Sequence, residues 1–377
     1  MSEVKGAAME LGTERIRKLL VQYAVPAIIA MTASSLYNMV DSIFIGHGVG
    51  ALAISGLALT FPLMNLAAAF GSLVGVGAAT LVSMRLGQRD YETAQRILGN
   101  VVVLNLIIGI SFGLLTLVFL DPILYFFGAS DATIGYAREY MSVILWGNVV
   151  THMYLGLNAV LRAAGHPRKA MYATILTVTI NAILDPLFIF VFHMGMAGAA
   201  LATITGQILS FALVVFYLRG FKTLPLSLSD LKPKIACWAR IAALGATPAF
   251  NQVAMMVVQI VMNNTLTYYG SNSVYGSDIP LACAGIISKV NMLFFSFVIG
   301  ISQGLQPIVS FNFGAQKYDR VKDAYKKQFL RRLPFPSSPS SASSSFRARL
   351  SAFLVPVQKS TCILQSGTSA FSCFSHS

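Results

Sequence analysis

Two acidic residues, Asp41 and Asp185, lie well inside long runs of apolar residues, whereas the other twelve of the 14 acids lie at or beyond the ends of such runs. An ionised carboxylate in hydrocarbon is costly, so an acid at such a position usually has a function or a partner. The two acids lie about five and about seven residues from the outer ends of their runs, which places them at a similar depth. Two acids at one depth predict a site for a coupling cation, either a proton or Na⁺.

Polar residues recur at helical spacing on the N-terminal side of each acid. Tyr37 and Asn38 precede Asp41 by four and three residues, and Asn181 precedes Asp185 by four. Residues three or four apart share one face of a helix. Each acid is therefore predicted to carry polar neighbours on its own face.

Two further residues reach a comparable depth from other apolar runs. Thr203 enters the sixth run from its outer end, and Tyr140 stands at the start of the fourth. If the first six runs bundle together, we expect six residues to converge: Tyr37, Asp41, Tyr140, Asn181, Asp185 and Thr203. Hard oxygen ligands for Na⁺ would come from Asp41, Asn181, Asp185 and Thr203. The alternative is that the two acids cap helices or hold them together, as polar residues in membrane bundles often do.

Other polar residues inside apolar runs predict a substrate pathway. Lys289 is an intramembrane cation near the middle of the eighth run, where its side chain cannot easily reach the interface. It is predicted either to face a central cavity or to pair with a buried polar group. Further candidates for the pathway are Asn158, Asn251, Gln252 and Gln259.

The elements that must position these residues are membrane-spanning helices. Only 11% of the 377 residues are charged and 55% are apolar, which is typical of a chain in lipid rather than of a soluble domain. A helix needs about 20 apolar residues to cross the hydrocarbon. Eight segments qualify, and the predicted fold class is an all-α polytopic bundle: 19–45, 53–78, 97–120, 139–161, 170–192, 197–218, 241–267 and 279–302.

Basic residues mark alternate loops of the chain. They precede the first segment and follow the second, fourth and sixth, whereas the loops between carry Asp121, Asp131 and Asp278. Basic loops stay on the cytoplasmic side, so the N-terminus is predicted to be cytoplasmic in a multi-pass protein of a bacterial-type plasma membrane. The same placement explains the net charge of +13 as topological signals, which argues against nucleic acid as a partner.

The sequence offers no sign of an enzyme or of a resident cofactor. Four cysteines show no CxxC spacing, and no HExxH or GxSxG motif stands out. We therefore expect no cofactor besides the coupling ion, H⁺ or Na⁺, and no enzymatic activity.

An internal repeat relates the second and eighth segments. In the loops that follow them, Gly87 falls on Gly314 and Tyr91 on Tyr318, while Gly71 and Gly75 match Gly300 and Gly304 after a two-residue slip. Such a repeat of two six-helix lobes is a common transporter plan. It predicts a lobe over 1–218, an inter-lobe cytoplasmic loop over 219–240 and the first two helices of a second lobe over 241–330.

The repeat pattern breaks near residue 328. Residues 331–377 are rich in serine and contain no acid, a composition typical of a disordered or low-complexity segment. We expect a frameshift or truncation near residue 328, with a genuine cytoplasmic tail as the alternative.

Several motifs resemble the multidrug and toxic compound extrusion (MATE) family of efflux transporters over residues 10–328. These are VPAIIAMTASSLYNMVDSIFIGHG, the GxGAA…LGQRDYETAQ loop, LRAAGHPRKAMYATI, NAILDPLFIF and MGMAGAALATITGQ. The resemblance implies twelve helices in two lobes around a cleft, and export of drugs or organic cations in exchange for H⁺ or Na⁺. It implies a coupling site on Tyr37, Asp41, Tyr140, Asn181, Asp185 and Thr203, with Asn158 near a drug pocket.

Two alternatives to drug antiport stay open. One is a flippase for lipid-linked saccharides of the same superfamily, which would use a more cationic cavity around Lys289. The other is an inactive fragment, because only two helices of the second lobe are recognised. The expected partners are small-molecule drugs or organic cations and the lipid bilayer.

Overall fold

The computed structural model describes residues 9–220, 228–272 and 278–330, and within these ranges every regular element is a helix. The predicted tail, 331–377, lies outside the described residues. In chain order the α-helices are α1 (Ile16–Gly48), α2 (Ala51–Gly87), α3 (Tyr91–Val118), α4 (Leu120–Phe126), α5 (Ile134–Trp146), α6 (Asn148–Ala163), α7 (Pro167–Pro186), α8 (Gly195–Arg219), α9 (Ile235–Ser271), α10 (Asp278–Gly314) and α11 (Tyr318–Leu330).

Seven of the helices in the described ranges are long and apolar enough to cross a membrane, and α5 with α6 forms an eighth, bent crossing. The predicted all-α polytopic bundle is therefore confirmed. Within this crossing the two helices meet at an angle of 58° around Gly147. Ile204 from α8 packs directly against Gly147, where a Cβ atom would find no room.

The fourth segment, 139–161, is predicted as one unbroken helix, but in the structure it is broken at Gly147. Two other segments end too early, because α2 continues to Gly87 and α10 to Gly314, past the predicted ends at 78 and 302. A helix does not end where its apolar run ends. Its backbone hydrogen bonds continue into the polar interface, where Arg85 and its neighbours remain helical.

One end of the bundle collects the basic loops, and we call it the basic end. It contains the start of α1, the α2–α3 and α6–α7 connections and the last turn of α8, with a buried cluster that includes Ile16, Leu86, Leu161 and Leu218. A second buried cluster lies toward the opposite end, around Ile45, Leu57, Leu124, Met141 and Met196. The candidate acids belong to helices that extend between these two clusters.

Close backbone contacts join α9 and α10 to the preceding helices. Gly77 of α2 packs on the backbone of Ile241, and Gly245 packs on that of Leu73. At the basic end Gly87 and Gly314, the pair equated by the repeat, make the same kind of contact between α2 and α10. Small residues allow helices in membranes to approach this closely, so glycine is required at these crossings.

The segment before α1 is held against α10 and α11 by buried hydrogen bonds. Asn312 Nδ2 donates to the Leu11 carbonyl at 2.9 Å, and Asn312 Oδ1 accepts from Arg320 Nε at 2.9 Å. Arg320 also donates to the carbonyls of Leu11 and Glu14. The N-terminal segment is thus fixed to residues roughly 300 positions later in the chain.

Candidate functional site

The centre of the candidate site is Asn181, a fully buried residue of α7. One orientation of the Asn181 amide satisfies all of its hydrogen-bond partners. In that orientation the amide nitrogen donates to the Thr177 carbonyl at 2.9 Å. The amide oxygen then accepts from the Tyr37 hydroxyl at 2.7 Å and from the Thr203 backbone N–H at 3.0 Å. One side chain therefore ties α7 to both α1 and α8.

Tyr37 and Thr203 complete this triangle. Their hydroxyl oxygens lie 3.3 Å apart, and Thr203 Oγ1 lies 3.1 Å from the Asn181 amide oxygen. Gly206, one turn further along α8, leaves the space that the Asn181 amide occupies. Three helices thus place three oxygen atoms at one point.

The two candidate acids adjoin the triangle. Asp185 is fully buried, and Asp41 retains only 5% of its exposed surface. The charge of Asp41 acts on Asp185, and both acids act on Tyr37. Neither carboxylate oxygen of Asp185 has a hydrogen-bond partner of normal geometry among the described residues. A buried carboxylate of this kind has oxygen lone pairs available for a proton or a cation.

Tyr140 reaches the same site from α5. Its ring is buried, its hydroxyl contacts Thr203, and it lies within electrostatic reach of Asp41 and Asp185. Tyr140 belongs to α5, the first half of the bent crossing, which meets α6 at the break around Gly147.

The six residues predicted to converge do lie together: Tyr37, Asp41, Tyr140, Asn181, Asp185 and Thr203. Their helical spacing made the face of each helix predictable. Asn38 donates to the Ser34 carbonyl within α1. The role of the six as ion-coupling residues remains a prediction.

The predicted pathway residues have a different outcome. Asn158 is buried between α6 and α7, where its Nδ2 atom donates to Thr174 Oγ1 at 3.2 Å. The side chain of Lys289 lies outside the described residues. Their assignment to a substrate pathway also remains a prediction.

Sequence reasoning missed a set of hydroxyl groups that extends from Asn181 toward the basic end. Thr177 Oγ1 donates to Ser210 Oγ at 2.7 Å, and the Tyr154 hydroxyl donates to Thr174 Oγ1 at 3.1 Å. Thr174 and Thr177 precede Asn181 by seven and four residues on the face that carries Asp185. This spacing was the signal that could have identified them.

Comparison with known families decides what kind of bundle this is. A model of the MatE family matches residues 26–187 and 249–331, which together make up more than half of the chain. The chain belongs to the MATE family. The family resemblance noted in the sequence is therefore confirmed, and MATE proteins are multi-pass membrane transporters rather than enzymes.

The matched relatives include multidrug exporters. A multidrug export protein MepA from Staphylococcus haemolyticus is 30% identical over 313 residues, which cover 82% of this chain and 67% of the relative. The MepA protein of Staphylococcus aureus is 26% identical over 310 residues, with the same coverage of each chain. These similarities group the chain with MATE efflux transporters.

Solved structures support the same grouping. The MATE multidrug transporter DinF-BH, determined in complex with R6G, is 33% identical, with a TM-score of 0.78 over 84% of this chain and 70% of that one. An outward-facing MATE transporter of the MOP superfamily is 23% identical, with a TM-score of 0.76 over 86% of this chain and 70% of that one. The second likeness concerns the fold alone.

Proposed function

We propose that this MATE chain exports multiple drugs, including organic cations, in exchange for H⁺ or Na⁺. The observation that carries the proposal is Asp185, a fully buried acid whose oxygens make no hydrogen bond of normal geometry among the described residues, although the Tyr37 hydroxyl lies nearby. A buried carboxylate without such partners costs several kcal/mol, roughly, unless a bound proton or cation compensates. Names of relatives, multidrug export protein and multidrug transporter, support drugs as the substrate class.

Each residue of the site has a distinct part in this proposal. Asp41 and Asp185 bind the coupling ion, and their mutual repulsion favours a state in which one positive charge lies between them. Asn181 and Thr203 supply neutral oxygens that suit either a hydrated proton or Na⁺. Tyr37 and Tyr140 orient these groups and separate them from lipid. Drug binding would then compete with the ion.

The domain organisation is part of the same proposal. We assign 1–218 to an N-terminal lobe that holds the ion site, 219–240 to the inter-lobe loop and 241–330 to helices of a second lobe. The flippase alternative would need a cationic cavity around Lys289, whose side chain lies outside the described residues. None of the described contacts favours it.

Ion displacement by a drug tests the proposal directly. The purified chain in weakly buffered detergent is mixed with R6G, and the released protons are followed with a pH indicator, with and without NaCl. Without NaCl, wild type should release protons when R6G binds. If Na⁺ occupies the same site, adding NaCl should suppress that proton release. Asp41→Asn and Asp185→Asn should bind R6G without releasing ions, whereas Asp131→Asn, an exposed acid, should match wild type. Normal ion release by both buried-acid variants would contradict the proposal.

A further inference from the structure

A stripe of polar side chains extends from the candidate acids toward the basic end. Thr174, Thr177, Asn181 and Asp185 follow one another on a single face of α7, and from the first to the last the helix rises by roughly 16 Å. Hydroxyl and amide groups from α6 and α8 lie beside this face. We call the part of this set nearest the basic end the polar stripe; its members are Tyr154, Asn158, Thr174, Thr177 and Ser210.

Hydrogen bonds connect the polar stripe along most of its length. Tyr154 donates to Thr174 at 3.1 Å and also interacts with Thr177. Thr177 continues to Ser210 through its hydroxyl and to Asn181 through its carbonyl. All members except Thr177 are buried. The stripe is therefore a continuous set of polar groups that could replace the hydration of a small cation.

Arg162 stands at the basic end of the polar stripe. It follows Asn158 by one turn of α6, is half-buried, and acts electrostatically on Tyr154. No ion pair joins it to any of the described residues. Asn158 Oδ1, one turn away, is buried and has no hydrogen-bond partner in the described part of the chain. The guanidinium stays protonated in proteins, so the stripe ends at a permanent positive charge.

The half-burial of Arg162 needs an explanation beyond topology. A basic residue at this loop is expected on the cytoplasmic side, but Arg168 and Lys169 already supply that signal nearby. Arg168 is exposed, whereas Arg162 gives up part of its hydration to lie at the end of the stripe. Placing a charge there is costly and should be accompanied by a function.

We propose that Arg162 is an electrostatic barrier that keeps cations from leaking between the acid pair and the basic end along the polar stripe. The inference rests on the proposed ion coupling at Asp41 and Asp185. Exchange of an ion for a drug requires that the bound ion reach only one side of the membrane at a time. A fixed positive charge in a region of low dielectric repels protons and Na⁺ strongly, as in selective pores.

Leak measurements on the intact chain test the barrier. The protein is reconstituted into liposomes that contain a pH-sensitive dye, and proton entry is driven by a membrane potential in the absence of any drug. Arg162→Gln should raise the leak at least about tenfold, because the repulsive charge is gone. Arg162→Lys should retain the low leak, and Arg168→Gln is the matched control in the same loop.

A double variant tests whether the leak follows the polar stripe or results from general disorder of the protein. In Arg162→Gln/Thr174→Val the methyl group interrupts the hydroxyl chain, so the leak should return toward the wild-type rate. A wild-type leak rate in Arg162→Gln would overturn the proposal, as would a high leak that Thr174→Val does not reduce. Arg162→Gln could leak while the wild-type chain releases no ions when R6G is added. That result would contradict the proposed coupling site but not the barrier.

Discussion

The Tyr37 hydroxyl lies 2.7 Å from the amide oxygen of Asn181, and this contact joins the first helix to the seventh across a buried interface. Both acids of the candidate site are on these two helices, four residues beyond Tyr37 on α1 and four beyond Asn181 on α7. The hydrogen bond therefore helps to hold together the two helix faces that carry the carboxylates. Its loss should affect ion binding before it affects folding.

Tyr37→Phe tests this relationship. The variant loses the hydrogen bonds to Asn181 and Thr203, so we expect destabilisation of about 1 kcal/mol and weaker ion binding. Thermal unfolding in detergent gives the first quantity, and the ion dependence of R6G binding gives the second. Tyr172→Phe, on an exposed ring of the same helix as Asn181, is the control. If the ion dependence of R6G binding is unchanged in Tyr37→Phe, Tyr37 takes no part in ion binding.

The close crossing of α2 and α10 predicts intolerance to one methyl group. In Gly87→Ala the new Cβ would collide with the carbonyl of Phe311, a backbone atom that cannot turn aside. We expect a loss of roughly 1–3 kcal/mol or more, measured as lower thermal stability and lower monodisperse yield. Gly135→Ala is the matched control, because a Cβ on Gly135 has open space within α5. Equal stability of the two variants would show that the crossing is loose.

The N-terminal segment should detach when its buried partner is removed. Asn312→Ala abolishes the bonds to the Leu11 carbonyl and to Arg320, and leaves the Arg320 Nε–H without its acceptor at a cost of about 1–3 kcal/mol. Limited proteolysis should then cleave near residues 9–14 faster than in wild type. Lys326→Ala, an exposed position on α11, should cleave at the wild-type rate.

A pH effect is expected at the start of α3. The Asp90 side chain interacts with the Thr93 hydroxyl and accepts from the Thr93 N–H at 3.1 Å. The hydroxyl first, then the N–H and the charge of Arg85, hold the pKa of the carboxyl below its ordinary value of 3.8. Because the folded pKa is the lower one, the stabilisation is complete above the ordinary pKa and is lost as the pH falls through the folded value. Asp90→Ala should lose about 1 kcal/mol of local stability at neutral pH.

Hydrogen exchange in the first turn of α3 measures this cap. Asp90→Asn keeps an oxygen acceptor for the Thr93 N–H, so its protection at neutral pH should stay near wild type. Its protection should no longer fall in acid, because the amide does not titrate. Identical acid sensitivity in the wild type and Asp90→Asn would assign the effect to another group.

The orientation of the bundle is a separate prediction. Reporters fused after Arg89, Lys169 and Lys232 should lie in the cytoplasm, and a reporter near Asp131 should lie outside, because basic loops remain on the cytoplasmic side. A single reversed reporter would contradict the alternation of the crossings.

The candidate site was predictable because its signal is local. A carboxylate in an apolar run is rare, and a polar residue four positions earlier must share its helical face. The break at Gly147 was not predictable in the same way, since 139–161 is apolar on both sides of it and glycine is common in membrane helices. At the break Ile204 of another helix packs against Gly147, a contact that the local sequence does not contain.

The polar stripe escaped detection for a different reason. Thr174 and Thr177 each bond to the carbonyl four residues earlier in α7, as threonines in membrane helices commonly do. Their second partners, Tyr154 and Ser210, come from helices α6 and α8. Their spacing from Asn181 indicates only which helix face they occupy, and the packing of three helices then distinguishes these hydroxyls from ordinary ones.

The close contact of α2 with α10, at Gly87 and Gly314, also limits how these two helices can move. Helices that touch backbone to backbone cannot come closer there, and parting them would lose the contact. The same helix α10 is held on α1, where Gly300 and Gly304 pack on the backbones of Ile28 and Ala24. We therefore expect α1, α2 and α10 to move as one rigid body.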